Sequence, residues 1–382
     1  MPLDKTDAQR LRKILRSFGL LRLSGFLDET VLMMPEFSDL SSVRHLLVIQ
    51  PLVGIGDMLW HKPWIDRLTQ THRVTLMAKP TVQADVVFTG APDRFSVAGL
   101  DRSLRGRRGR HDGLTGFWRL VMDMRAIRAD AVVILHNSAR YALAARLAGI
   151  RWRLGYGMGR QRRHLNAGYC LGKEMLGQHA IERIDEFAKL NGFGLDSPVW
   201  SVQPRAAALT RAKALLASWM MMTDQQTAKP FICIGIGSMN PERQWGASRF
   251  AELITRLTEA RADRPCLILG GPGEQQLADD ILTKLGTGGL TAPVFLGRLD
   301  EAVALMSLSD GYVGNDTSLL NFMACLNKPA LGLFSHSRPL TYSPHIHKTE
   351  AVGEAAFGQP GIIRSITVNH VLDKFNSLWP EA

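Results

Sequence analysis

The chain has 382 residues, 46% of them hydrophobic and 21% charged, which is a globular rather than a disordered or fibrous composition and enough length for two domains. A formal charge of +11 and a pI near 9.8 predict an anionic partner, leaving nucleic acid, acidic lipid and phosphorylated substrates open. No apolar run reaches the roughly 18 residues of a membrane-spanning helix, and Cys170, Cys233, Cys266 and Cys325 form no Cys-x-x-Cys pair, which speaks against a disulfide framework or a zinc site and for a reducing compartment.

Residues 1–40 stand apart as an N-terminal extension. Leu11, Ile14, Leu15 and Phe18 fall on one helical face, with Arg10, Arg12, Lys13 and Arg16 on the other. Such a helix packs its stripe on a core or lies on an anionic membrane. The interleaved arginines are not those of a secretory leader, so a cytoplasmic protein is expected.

From His45 onward strands and helices alternate. Strands are predicted over 46–49, 74–78 and 131–135, and helices over 58–69, 116–128, 139–148 and 181–190. Alternation of this kind makes a parallel sheet covered on both faces, and strands that are apolar throughout fit that burial. Residues 41–200 read as one such domain. A more polar linker region, 201–228, follows, with a helix over 205–220. The alternation then resumes in a second domain, 229–365. Its strands lie over 231–236, 266–269, 294–296, 311–313 and 330–334, its helices over 247–259, 274–285, 301–307 and 318–326. The terminal segment, 366–382, carries a helix over 371–379 that is expected to cross back to the first domain. The fold class is therefore α/β, with two doubly wound Rossmann-like domains facing each other across a cleft and ligands beyond the carboxyl ends of the strands.

Three Gly-x-Gly turns follow predicted strands: Gly54-Ile-Gly56, Gly235-Ile-Gly237 and Gly271-Pro-Gly273. Where a dinucleotide fingerprint needs its third glycine, the chain has Leu59, Asn240 and Gln276, which disfavours NAD(P). The first turn also lacks the Lys-Ser/Thr of a P-loop. It carries Asp57 where a phosphate would want positive charge, and on spacing alone this aspartate reads first as a helix cap. In the second half, four strand ends on one rim hold polar residues: Ser238 and Arg243, then Glu274, then Arg298, then Asp316, Thr317 and Ser318. The helix start at 316–318 offers free N–H groups to a phosphate. Arg243 could neutralise a pyrophosphate bidentately, and Glu274 could accept from ribose hydroxyls. Singly, each has a structural explanation as a cap or a helix-dipole partner, and Trp245 beside them as core. Jointly they point to a nucleotide site. Basic residues crowd two further segments, Arg102, Arg105, Arg107, Arg108 and Arg110, and Arg160, Arg162 and Arg163. No interleaved aromatics or nucleic-acid module accompany them, so no nucleic-acid partner is expected; an anion-binding surface and a solvated loop both stay open.

The blocks "LLVIQPLVGIGDMLWHKPWIDRL", "ARLAGIRWRLGYG", "GSMNPERQWGASRFAELI", "LILGGPGEQQLA" and "VGNDTSLLNFMACLNKPALGLF", in this order over residues 44–335, resemble glycosyltransferase family 9, the lipopolysaccharide heptosyltransferase family. The resemblance implies a GT-B glycosyltransferase that is metal-independent and inverts the anomeric centre. Its donor would be a nucleotide-sugar co-substrate, ADP-heptose, with no other cofactor. Its acceptor would be an anionic lipopolysaccharide-core or other cell-surface glycan, met on the cytoplasmic face of the inner membrane. Carried over by position, Asp57 is the catalytic base. Arg243, Glu274, Asp316 and Thr317 match the family's donor-binding positions, and Ser238, Arg298 and Ser318 on the same rim are expected to bind the donor with them. Gly54, Gly56, Arg105, Arg107, Arg108, Arg162 and Arg163 meet the acceptor. The chain departs from the family's blocks at Ser318 for glycine, Asn321 for histidine, Gly246 for proline and Arg243 for lysine. These departures bear on the donor more than on the reaction type. The alternatives are a diverged, non-catalytic sugar-nucleotide binder and a nucleotide-sugar epimerase.

Overall fold

The computed structural model describes residues 42–103, 108–223, 227–238, 240–335, 342–350 and 362–380; the amphipathic segment at 1–40, Arg105 and Arg107 lie outside them. The first domain runs β1 (His45–Gln50), α1 (Ile55–Thr71), β2 (Arg73–Ala78), the single turn α2 (Ala84–Val87), β3 (Phe95–Gly99), α3 (Gly113–Ile127), β4 (Ala131–Ile134), α4 (Ala139–Leu147) and β5 (Trp152–Gly155). Its five strands lie in the order β3-β2-β1-β4-β5, all parallel. The period of two along β1 decides what packs where. Leu46 and Val48 meet Met58, Leu59, Trp64 and Ile65 of α1 in one core. Leu47 and Ile49 meet Leu120 and Met124 of α3 and Tyr141 and Ala144 of α4 in another. Both faces are thus covered, which is why the run Leu46–Ile49 has no polar position.

Two helices, α5 (Ala180–Leu190) and α6 (Ala206–Ser218), lead to the second sheet. There follow β6 (Ile232–Gly235), α7 (Ala247–Ala260), β7 (Cys266–Leu269), α8 (Gln275–Gly286), β8 (Val294–Phe295), α9 (Leu299–Leu308), β9 (Gly311–Asn315), α10 (Ser318–Cys325), β10 (Ala330–Phe334), β11 (Ile346–Glu350) and α11 (Val368–Leu378). The order is β11-β10-β9-β6-β7-β8, again parallel. The doubly wound plan therefore occurs twice, with strand order reversing between β1 and β4 and between β6 and β9. A crevice opens at each reversal, beyond the carboxyl ends of the strands.

Three strands escape the sequence pattern, β3, β5 and β11, and all three are sheet edges. An edge strand is covered less fully and tolerates polar and small residues; Phe-Ser-Val-Ala-Gly and Ile-His-Lys-Thr-Glu show no apolar run. The linker region holds a packed helix: Ala208, Ala212 and Leu216 of α6 are buried in the core that also takes in Trp64 and Phe322.

The last helix does not cross back to the first domain. Val368, Val371, Leu372 and Phe375 form one stripe and sink into the core made by Ile232, Trp245, Phe250 and Leu253 of the second domain. Trp379 stacks on Phe375 at 4.6 Å, and the Arg261 guanidinium donates to its carbonyl at 2.6 Å. The apolar face is used up locally, so nothing remains to carry the helix elsewhere. Trp245, one of the polar-rim candidates, belongs to the same core. It is buried, edge-on to Phe250 at 5.1 Å, and donates from Nε1 to the Ile366 carbonyl at 2.8 Å. Trp245→Phe keeps most of the volume but strands that carbonyl, so it is expected to cost about 1–3 kcal/mol. Urea unfolding should show a lower midpoint at unchanged slope.

Candidate functional site

The first crevice is built around the start of α1. Gly54 is its N-cap, and Asp57, three residues on, accepts the Gly54 N–H at 3.1 Å, the N3 half of a capping box. A Cβ at Gly54 would lie 2.8 Å from the Asp57 carboxylate, so any larger residue there would displace that carboxylate. The cap explains how Asp57 is held. Burial raises its pKa above the ordinary carboxylate range, against the pull of the Gly54 N–H and of Arg183.

Arg183, on α5, is the cation of this crevice. It lies over the Tyr156 ring at 5.9 Å, and its Nε is buried without a hydrogen-bond partner. Three histidines surround it: His61, His136 and His179. Each is held below its ordinary pKa, first by burial and then, for each, by the Arg183 charge among other neighbours. His61 falls to about 4, and its Nδ1 donates to the Asp57 carbonyl at 2.6 Å. At neutral pH the crevice therefore holds neutral imidazoles beside the Arg183 guanidinium and the Asp57 carboxylate. His136 sits just past β4, at the carboxyl-end position that marks a site. His179 and Arg183 stand four apart at the start of a helix. Both signals were legible, but neither His136, His179 nor Arg183 was singled out from the sequence.

The predicted basic residues divide. Arg102 and Arg108, with Lys79, line a cavity of about 470 Å³ past the ends of β2 and β3. Desolvation and the Arg102 charge lower the Lys79 pKa. Arg162 and Arg163 are exposed on the 3₁₀ turn Gly159–His164. That turn is anchored by buried Gln161, which donates to the His136 carbonyl at 2.6 Å and accepts from Gly157 N–H at 2.8 Å.

The second crevice gathers most of the donor candidates. Asn315, buried at the end of β9, stitches it. Its amide donates to the carbonyl of Ile236 at 2.8 Å and to the Gln244 side chain at 2.8 Å. The Ser238 hydroxyl donates to the Asn240 carbonyl at 2.8 Å, shaping the loop that delivers Arg243. Arg243 then reaches Asp316 at 3.6 Å, with its Nε buried and unpartnered. Thr317 is the N-cap of α10, but its side chain makes no capping hydrogen bond. Glu274 accepts the Gly271 N–H at 2.7 Å, and its carboxylate faces Gly237, where a Cβ would stand 3.3 Å away. Arg298 is the member brought least into this crevice. It leaves β8, two strands from β6, and forks onto Asp300 at 3.0 and 3.2 Å.

The two crevices meet at Asn321. Its Oδ1 accepts from Trp60 Nε1 at 3.0 Å and from the Tyr342 hydroxyl at 2.6 Å; its Nδ2 donates to the Thr317 carbonyl at 3.0 Å. A Cβ on Gly56 would lie 3.8 Å from that same amide. The start of α1, with Asp57, thus faces the start of α10, with Asp316, Thr317 and Ser318. Trp60 also packs edge-on to His179 at 4.4 Å. Among the described residues, no group of three or more His, Cys, Asp or Glu stands where it could hold a metal ion.

The family model for glycosyltransferase family 9 (heptosyltransferase) matches residues 117–362. Lipopolysaccharide heptosyltransferase 2 of Escherichia coli is 25% identical over 281 residues, 68% of this chain and 78% of that protein. Two solved structures share the fold. The family 9 glycosyltransferase of Veillonella parvula superposes with a TM-score of 0.72 at 18% identity, covering 92% of this chain and 99% of that one. The ADP-heptose lipopolysaccharide heptosyltransferase II of Escherichia coli gives 0.65 at 19%, covering 87% and 98%.

A carboxyl whose folded pKa is raised weakens the fold once it ionises. The penalty grows as pH rises from the unfolded value towards the folded one and persists above it. Asp57→Asn keeps an acceptor for the Gly54 N–H and removes the charge. It should raise the melting temperature at pH 7, with the gain vanishing below about pH 4, where the wild-type carboxyl is protonated in both states. Asn321→Leu should instead strand Trp60, Tyr342 and the Thr317 carbonyl and cost roughly 1–3 kcal/mol by denaturant unfolding.

Proposed function

This chain belongs to glycosyltransferase family 9, and on that premise we propose that it is an inverting, metal-independent transferase that moves heptose from ADP-heptose onto an anionic lipopolysaccharide-core glycan. The observation that carries the reading is the hydrogen bond from Trp60 to Asn321, which ties the helix that begins at Asp57 to the helix that begins uncapped at Thr317, close to Asp316 and its partner Arg243. The attacking acceptor hydroxyl gives its proton to the Asp57 carboxylate as its oxygen bonds to the anomeric carbon. The bond from that carbon to the diphosphate breaks, and the electron pair leaves with the diphosphate. Arg243 and the N–H groups of α10 meet the charge that develops there. In this geometry Asp316 holds Arg243 at 3.6 Å, a contact that an arriving diphosphate would replace with a stronger one.

Relatives support the donor: one is named as an ADP-heptose enzyme. The acceptor side rests on charge. Arg183 in the crevice, Lys79, Arg102 and Arg108 around the cavity, and Arg162 and Arg163 exposed on the turn Gly159–His164 suit a glycan bearing carboxylates or phosphates. Gly54 and Gly56 keep the backbone open at the point of attack. Ser238, Glu274, Thr317, Ser318 and Arg298 would hold the nucleotide and sugar. Arg105 and Arg107 lie outside the described residues. We place the enzyme on the cytoplasmic face of the inner membrane; no described helix is long and apolar enough to cross one.

Titration calorimetry should show ADP binding in preference to UDP and GDP, weakened roughly 10–100-fold by Arg243→Ala, the loss of a charge-assisted contact. Asp57→Asn should leave ADP binding unchanged and lower kcat by about 10²–10⁴-fold, the contribution of a positioned base. The acid limb of the pH–rate profile should lie above the ordinary carboxylate range, because burial raises the Asp57 pKa and the base must be ionised. A preference for another nucleotide would move the donor. Product formed without acceptor would make the chain an epimerase.

A further inference from the structure

Helix α3 turns an apolar stripe to solvent. Leu114, Trp118 and Met122 stand at i, i+4 and i+8 and are 85%, 58% and 58% exposed. Elsewhere on the same helix Leu120, Val121 and Met124 are buried. Single exposed apolar residues are ordinary, but three large ones on one helical face form a patch that needs an occupant.

The surroundings identify the kind of occupant. On the helical wheel Arg125 falls between Leu114 and Trp118, and Arg119 flanks the far side of Met122; both arginines are exposed. The one acid of the helix, Asp123, is neutralised by Arg110 at 2.8 Å and faces His111 at 2.8 Å. The N-terminus of α3 is tied to the basic loop before it. Asp112 accepts from Arg102 at 3.2 Å and from the N–H groups of Ser103 and Gly109 at 2.6 and 2.9 Å. The apolar stripe therefore begins beside the cationic cavity lined by Lys79, Arg102 and Arg108.

We propose that this face of α3 docks on an anionic lipid bilayer. Trp118, with Leu114 and Met122, enters the boundary between headgroups and acyl chains, while Arg119, Arg125 and the loop arginines pair with lipid phosphates. One helix face exposes only a few hundred Å² at most, short of the roughly 1,000 Å² a specific protein interface needs. An interfacial helix needs no more than such a stripe and a basic border. Docked this way, the cavity opens next to the membrane surface. That purpose rests on the transferase reading with a lipid-carried acceptor; the surface itself does not.

The test is cosedimentation of the full chain with vesicles of phosphatidylglycerol and phosphatidylcholine, against vesicles of phosphatidylcholine alone. The wild type should bind the anionic vesicles, with a blue-shifted tryptophan emission that Trp118→Phe removes. Trp118→Ser with Met122→Ser should weaken binding about ten-fold or more, and Arg119→Ala with Arg125→Ala about five-fold for each charge. Both pairs are exposed, and unchanged ADP binding by calorimetry would show that the site is intact. Failure of the wild type to bind, or equal binding by the Trp118 and Met122 variant, would overturn the proposal. So would a wild-type dimer in sedimentation that Trp118→Ser splits, since the face would then belong to a second copy. Vesicle binding lost in the stripe variant, in a protein that binds no nucleotide, would support the surface and count against the transferase reading alone.

Discussion

One buried amide sets the two halves of the site in register. Asn321 accepts from Trp60 on the first domain and donates to the Thr317 carbonyl at the start of α10 on the second. Neither crevice is a complete reaction site: one holds a carboxylate and a guanidinium, the other a guanidinium and an open helix start. On the proposed reading, a base stands on one side of a cleft and a sink for negative charge on the other. The amide suits this work because it donates and accepts at once, and because a buried polar group left unpaired is costly, so the geometry is held. Tyr342 shares the same oxygen and stacks near Trp200 at 4.8 Å, while Trp200 donates to the Trp60 carbonyl at 3.4 Å. The seam is thus aromatic and hydrogen-bonded.

The electrostatics of each wall follow from burial. On the first, desolvation raises the Asp57 carboxyl while the Gly54 N–H and Arg183 pull it back, which leaves a base that is more basic than a free carboxylate yet held in place by the cap. Burial first, and the Arg183 charge after it, hold three nearby histidines below their ordinary pKa. On the second wall Arg243 and Asp316 hold each other at a distance too long for a strong pair. The proposed chemistry does not compete with capping at Asp57: the hydrogen bond that starts the helix also fixes the carboxylate.

Much of the fold was legible because the interior strands are covered on both faces. Leu46–Ile49, Ile232–Gly235 and Cys266–Leu269 must be apolar throughout, and the helices between them must carry one apolar stripe. The edge strands Phe95–Gly99 and Ile346–Glu350 were invisible for the complementary reason, since an edge demands no such run. Asn321 was readable only as a departure from a family block. Its partners lie 261 residues away at Trp60 and 21 away at Tyr342, and no local pattern announces a contact of that kind. Arg183 and His136 carried local signals, yet a lone arginine on a helix and a lone histidine after a strand are common enough to pass unremarked.

By itself the sequence determined two parallel α/β domains, the family resemblance, and the strand ends from which Asp57, Arg243, Glu274 and Asp316 project, because each of these is written in residues a few positions apart. What only the tertiary structure decided is which of those ends oppose one another. It also decided that the last helix stays on the second domain, that Arg298 commits to Asp300, and that the stripe Leu114, Trp118 and Met122 finds no partner within the described residues. Local propensity and periodicity act over a turn or a strand. Opposition across a cleft is settled by the packing of whole elements, which the chain specifies only through contacts hundreds of residues apart.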